Sequence, residues 1–426
     1  MQTKNNVGIT GMGIVSSVGD NITSFGNSLK QGTSGIQKTN LSPSVKLSVS
    51  VAAKIQDFSF TEALKKFDTI PEEKLAKAKK LGQRAPFVIQ TSILSALQAW
   101  DQANLFNNKL SPYKIGLVVA GQNSTQNYQY NLIAGFNENP EYLSPRYALE
   151  FLETNQIGVL SELFEIKGEG TVVGGASATG NVGLIKGYQL IESGIVDVCL
   201  VVGTVADLSP LDIQSFINIG AMGGKTLGDK PQEACRPFDA KHEGFIYGQA
   251  SACMVLESEA SAQQRASHVQ AEIAGGAIIL DGNSSTNPNK NGEYTAMKFA
   301  LEKAGLTVKD IDYINAHGSA SPLGDKTEAA AILELLGGHI PNVWINATKG
   351  LTGHCLYSAG MVEAIATVIQ INEGFLHPNK NLEEPIDTSL RFCGTKAVQF
   401  QSKAALSNSF GFGGINTSIV IKQAKA

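Results

Sequence analysis

Four glycine-rich segments of the 426-residue chain carry side chains able to do chemistry. In Gly174-Gly175-Ala176-Ser177-Ala178-Thr179-Gly180-Asn181, a serine stands between the apolar run Thr171-Val172-Val173 and a long amphipathic stretch. Asn315-Ala316-His317-Gly318-Ser319 and Lys349-Gly350-Leu351-Thr352-Gly353-His354 each set a histidine beside a glycine. The fourth segment is Ser409-Phe410-Gly411-Phe412-Gly413-Gly414. A serine opening a helix has two readings. It caps the helix, as serine does well, or it acts as a nucleophile or oxyanion partner, drawing on free N–H groups and positive potential. One such histidine alone is more simply structural, whereas two in matching turns point to a shared site. The Phe-Gly-Phe-Gly-Gly turn either packs on a substrate or is only a tight bend.

The elements that must position these turns follow from the flanking patterns. Each turn comes after an apolar run, and in open α/β sheets such turns gather at the carboxyl ends of strands. A strand at 171–174, a helix at 178–193 and a strand from Val196 to Val202 are expected, closed by a strand at 252–256. A similar order recurs with a strand at 343–346, a helix from about Ser358 to Asn372, and strands at 403–407 and 417–421. Two copies of a βαβ-rich unit, 1–258 and 259–426, are the expected division, each a mostly parallel sheet with helices on both faces. Residues 7–19 read as strand, glycine-rich turn and helix, followed by a helix over 72–104 and a strand at 115–119. Gly11-Met12-Gly13-Ile14-Val15-Ser16 lacks the third glycine of a dinucleotide fingerprint, so no nucleotide site is expected.

The net charge of −4 gives no global basic field for nucleic acid. No apolar run approaches the roughly 20 residues of a membrane helix, and no signal peptide is expected. Five cysteines without a CxxC spacing read as buried thiols of a cytoplasmic protein. No metal site is expected.

Taken in order, these clusters resemble the elongating type of β-ketoacyl-acyl carrier protein synthase, over nearly the whole chain. Gly8 to Gly13, Arg236-Pro237-Phe238-Asp239 with Gly244-Phe245, Pro322-Leu323-Gly324-Asp325, Ala359-Gly360 with Glu363, and Ser407 to Gly414 complete the likeness. The resemblance implies a thiolase-like five-layered αβαβα fold of two duplicated halves, each with a mixed sheet, and a homodimer. It makes His317 and His354 donors to a thioester carbonyl, with Lys349 and Glu363 supporting His354 and its tautomer, and Asp325 in the supporting shell. The backbones of Ser177 and Phe412 would form a second oxyanion hole. Ser319 and Ser321 stand where threonines usually meet the phosphopantetheine arm. Phe410 would line the pocket. Lys74, Lys77, Lys79, Lys80 and Arg84 would dock an acidic acyl carrier protein, unless they are only a solvated helix face. The resemblance calls for no cofactor beyond the carrier's arm.

Two departures set this chain apart. The family's acyl acceptor is a cysteine, and Ser177 occupies its place. A thiol of pKa about 8.5 is tuned down at a helix N-terminus and attacks as thiolate, whereas a serine needs a positioned base. Gln122 and Asn123 also stand where the family has small or apolar residues shaping the acyl pocket. Burying an unpaired amide there would cost a few kcal/mol, although the segment also reads as a solvent loop. Glu243 and Gln249 depart without an evident reason. The leading expectation is a malonyl-carrier protein decarboxylase resembling the serine-bearing ketosynthase-like enzymes of polyketide β-branching cassettes, which work beside a 3-hydroxy-3-methylglutaryl synthase-like enzyme. The alternatives are a serine-dependent acyltransferase, a non-catalytic partner like a chain-length factor, and an elongating synthase carrying a cysteine-to-serine replacement.

Overall fold

The computed structural model describes residues 6–42, 44–107 and 110–424. Ten apolar segments pair into its main sheet: β1 (Val7–Ser16), β2 (Ile115–Ala120), β3 (Gly170–Val173), β4 (Val198–Gly203), β5 (Ala250–Ser258), β6 (Ala271–Leu280), β7 (Tyr313–Asn315), β8 (Trp344–Asn346), β9 (Ala404–Gly411) and β10 (Ile415–Gln423). Seven helices matter for the site: α1 (Glu72–Gly82), α2 (Phe87–Gln102), α3 (Gln126–Glu138), α4 (Thr179–Glu192), α5 (Lys290–Ala304), α6 (Pro322–Leu336) and α7 (Ala359–Glu373).

The strand order is β8-β7-β9-β10-β6-β1-β5-β4-β2-β3. Within β1–β5 and within β6–β10 the order is third, second, fourth, fifth, first. In both sets the fifth strand runs antiparallel to its two neighbours. The two first strands pair antiparallel from Val7 with Ile273 to Ile9 with Ala271, which makes the sheet continuous.

Helices α4 and α7 pack against each other and against strands of both sets, while α2 and α5 cover the outer faces. The layers therefore run α, β, α, β, α, the thiolase-like arrangement. Strands β2, β4 and β5 are buried along their whole length, as expected for strands covered on both faces. Helix α7 is buried from Ala359 through Ile371. The polar side chains of that span, Glu363, Thr367 and Gln370, therefore find partners inside the protein, in Lys349, the Glu363 carbonyl and Tyr313 respectively.

Two expectations are corrected here. The 72–104 helix is broken: α1 ends at Gly82 and α2 begins after Pro86, so Arg84 lies in the turn between them. Proline lacks the N–H of a continuous helix and biases the residue before it away from helical geometry. The glycines of the opening segment form no turn, because β1 runs unbroken to Ser16. A Cβ on Gly11 or Gly13 would stand 2.0 Å from the carbonyl oxygens of Ala99 or Ser95 on α2. These glycines thus admit a helix backbone against the strand. All five cysteines are free and buried. Among the described residues no helix is long and apolar enough to cross a membrane.

Candidate active site

Four turns at the carboxyl ends of β3, β7, β8 and β9 converge on one cavity of about 560 Å³. Ser177, His317, His354, Phe410 and Phe412 all line it, as do Gln122, Asn123, Ser319 and Ser321. The shared site expected from paired histidine turns is therefore present as geometry.

Ser177 lies in a single 3₁₀ turn, Ala176–Ala178, that leads into α4. The preceding Ala176 is held at φ +48°. A left-handed alanine is strained, by about 1–3 kcal/mol in such sites, and the sharp bend projects the next side chain into the cavity. No side-chain cap bond from this segment closes α4, so the N-cap reading of Ser177 fails. The Ser177 carbonyl accepts a hydrogen bond from the Ser409 hydroxyl at 2.9 Å. A Cβ on Gly411 would lie 2.4 Å from the Gly175 carbonyl oxygen. The terminal loop is thus pressed against the serine turn, and Phe412, 39% exposed, follows at the cavity mouth.

Gln122 is half-buried and accepts, through Oε1, from the N–H groups of Gly175 at 2.9 Å and Ala176 at 3.4 Å. It is thereby neither an unpaired amide nor a solvent loop, the two readings open from sequence. Its fixed carbonyl oxygen turns the amide nitrogen to the opposite side. Asn123 is exposed, and its backbone N–H is held by Glu153.

The two imidazoles are set edge to face, ring centroids 5.4 Å apart at 80°. Their tautomers follow from their partners. The Leu356 N–H donates to Nδ1 of His354 at 3.1 Å. The Lys349 ammonium, which can only donate, lies 3.3 Å from Nδ1 of His317. Each ring therefore carries its proton on Nε2. Burial first, then the Lys349 charge, holds both histidines well below the usual range, with His354 adding to the effect on His317. Both are neutral Nε2–H donors near pH 7. Leu356 is likewise held in the left-handed region, at φ +51°.

Lys349 was expected to hold His354. It instead contacts Nδ1 and the carbonyl oxygen of His317 and pairs with Glu363. The short helix Lys349–Thr352 and the turn at Gly353, φ +66°, face the two side chains in different directions. Burial pushes the Glu363 carboxyl up to about 7 against the pull of Lys349.

Asp325 accepts from the N–H groups of Ala320 at 3.1 Å and Phe238 at 2.6 Å, and meets His242 at 3.0 Å. It braces the loop carrying Ser319 and Ser321 rather than His317. The two serine hydroxyls touch at 2.9 Å. His317 is held by Glu328, unnoticed in the sequence, whose carboxylate accepts from the N–H groups of His317 and Gly318, each at 2.8 Å. Its spacing from Asp325, one helical turn along α6, was the available signal. Glu243 and Gln249 now have roles. Glu243 accepts from Gly224 and Thr226, and Gln249 bridges Ile55 to Tyr247.

Of the basic cluster, Lys74 pairs with Glu165 at 2.6 Å and Lys77 reaches the Glu162 carbonyl, tying α1 to the helix at 154–164. Lys79, Lys80 and Arg84 are exposed. Only these three remain suited to meet a partner.

Comparison with known proteins agrees with this geometry. Residues 4–262 match the N-terminal domain of β-ketoacyl synthase and residues 270–383 its C-terminal domain. The polyketide biosynthesis malonyl-ACP decarboxylase PksF of Bacillus subtilis is 36% identical, covering 97% of this chain and 95% of that protein. The 3-oxoacyl-[acyl-carrier-protein] synthase 2 of Coxiella burnetii is 29% identical over 99% of both. Among solved structures, a type II polyketide ketosynthase in complex with its acyl carrier protein superposes with a TM-score of 0.86 at 25% identity, over 99% of this chain and 100% of that one. A β-ketoacyl synthase from Burkholderia phymatum does so with 0.83 at 26%, over 99% and 100%. In sequence and in fold, this chain belongs to the β-ketoacyl synthase family of enzymes.

Proposed function

We propose that the protein removes CO₂ from a malonyl group held as a thioester on an acyl carrier protein. The product is acetyl-carrier protein, made without condensation, for polyketide β-branching beside a 3-hydroxy-3-methylglutaryl synthase-like partner enzyme. The observation that carries this reading is Ser177 at the helix-opening turn, with His317, His354 and Lys349 intact around the same cavity.

Decarboxylation breaks the bond between Cα and the carboxylate and moves its electron pair toward the thioester oxygen. Two neutral Nε2–H donors in a buried site stabilise that charge, by roughly 3–4 kcal/mol for each donor of this kind. Neither imidazole is open to act as a base toward Ser177, because both Nδ1 lone pairs are engaged, by Leu356 and by Lys349. A serine without a base does not become an acyl acceptor. The printed name of the Bacillus subtilis relative, a malonyl-ACP decarboxylase, supports the same reaction. The relatives named synthase 2 favour elongation, a reaction that needs the acyl-enzyme this serine is ill suited to form. Lys79, Lys80 and Arg84 are the proposed contacts for an acidic carrier protein, and Ser319 and Ser321 for its phosphopantetheine arm.

Intact-mass analysis after incubation with malonyl-carrier protein tests this. The expected result is acetyl-carrier protein with no acyl group on the enzyme. A stable acyl-Ser177 peptide, with the malonyl group unchanged, would reject the reading.

A further inference from the structure

Among the ionisable side chains that line the cavity and that the chemistry above does not use, Glu293 is set apart by a buried oxygen without a hydrogen-bond partner. Glu293 lies in the first turn of α5, where an acid normally faces water. Here it is 1% exposed, lines the same cavity as Ser177, His317 and His354, and its Oε2 has no hydrogen-bond partner among the described residues. Helix capping does not explain it, since Asn289 performs that role at the Asn291 N–H. A short chain of contacts ties its helix to the histidine turn. Met297, one turn along α5, meets the Asn408 amide at 3.2 Å; that amide donates to Glu328 at 3.2 Å; Glu328 holds the His317 N–H.

The groups that bear on Glu293 are all acidic: Glu328 and Asp325 from α6, and Asp281 just beyond β6. Burial, then these three carboxyls, keep its proton on well above the usual carboxylate range. A buried neutral acid with a free oxygen in a reaction cavity is a proton donor in waiting.

Decarboxylation without condensation needs such a donor. An elongating enzyme spends the enolate carbon on an acyl group, whereas acetyl formation requires a new C–H bond. The N–H groups of His317 and His354 are committed to the enolate oxygen. We propose that Glu293 is the acid that protonates Cα of the enolate, an inference that rests on the decarboxylase reading. The Cα–carboxylate bond breaks and CO₂ leaves with its carbon. The enolate electron pair then returns to Cα and takes the proton from Oε2 of Glu293. The thioester carbonyl re-forms, and the Glu293 carboxylate recovers a proton from water.

The test follows CO₂ release from malonyl-carrier protein in wild type, Glu293→Gln and Glu293→Asp. Wild type should release CO₂ linearly. Glu293→Gln should release a burst of about one CO₂ per site and then turn over at least tenfold more slowly, because C–C cleavage survives and proton delivery does not. Glu293→Asp should recover part of the steady rate. The wild-type steady rate should fall at alkaline pH, as the acid ionises. A Glu293→Gln enzyme that is linear at the wild-type rate, or slow from its first turnover without a burst, overturns the inference. If that variant does not fold, a wild-type rate that stays flat through alkaline pH overturns it instead. An inactive wild type would bring down the decarboxylase reading itself, which separates the two failures.

Discussion

At the residue scale the donor chemistry depends on which nitrogen of each imidazole carries the proton. Leu356 and Lys349 donate to the two Nδ1 atoms, so Nε2–H faces the substrate in both rings. Because burial and Lys349 lower both pKa values, falling pH should not charge these rings in the range around 6.5 where free histidine titrates. Nitrogen-15 NMR of labelled imidazoles at pH 6 should therefore show two neutral Nε2–H tautomers. A charged ring at that pH contradicts the donor geometry. The serine makes the opposite kind of prediction. Ser177→Cys should regain a covalent acyl adduct with acetyl-carrier protein, visible by peptide mass, since a thiol at a helix N-terminus forms a thiolate. Absence of that adduct would mean that more than the serine disables transacylation.

At the element scale, turns and helices decide what those residues can reach. The strand–turn–helix units at Ser177 and His354 were legible from apolar runs ending in glycine-rich turns, whereas at His317 only the turn was legible and the helix after it was not. Their convergence follows from strands that all deliver their carboxyl ends to one cavity. The partner of Lys349 was not legible. His354 is five residues away in sequence, yet Lys349 turns to His317, at the end of the neighbouring strand. Glu328 and Glu293 were also missed, because a helix acid reads as surface until packing buries it. Gln122 was legible only as a misfit in an acyl pocket, while its function as a brace for the serine turn needed the fold. Adding Gln122→Gly to Ser177→Cys should let the enzyme accept longer acyl groups than Ser177→Cys alone. Equal chain-length limits in the two would remove Gln122 as the obstruction. On α1 and the turn after it, reversing Lys79, Lys80 and Arg84 to Glu should raise KM for malonyl-carrier protein at low salt, with little change in kcat. Rim charges act mainly on encounter and are screened by salt, so salt-independent kinetics would discard the patch.

At the scale of the whole molecule, one stretch of chain carries several exposed apolar side chains. Ile133, Phe136, Tyr142, Leu149, Phe151 and Leu152 are all at least 39% exposed and fall within a single stretch of α3 and the segment after it. Apolar residues gathered in this way mark interaction surfaces, and the homodimer implied by the family resemblance is the expected occupant. Light scattering should give twice the 45.1 kDa chain mass; a monomer at micromolar concentration would leave the patch unexplained. The doubled strand order also sets the chemistry. The first five-strand set presents Ser177 and the second presents both histidines, so neither contains the site alone. In the proposed reaction, two histidine donors drive CO₂ loss while Ser177 is not acylated. Its most direct measurement compares initial rates of CO₂ release from malonyl-carrier protein in wild type, Ser177→Ala and the double variant His317→Ala, His354→Ala. Ser177→Ala should keep most of the activity. The double variant should lose at least the 10²–10³-fold typical of a single oxyanion donor, roughly. Full activity in the double variant, or complete loss in Ser177→Ala, would contradict the proposed reaction.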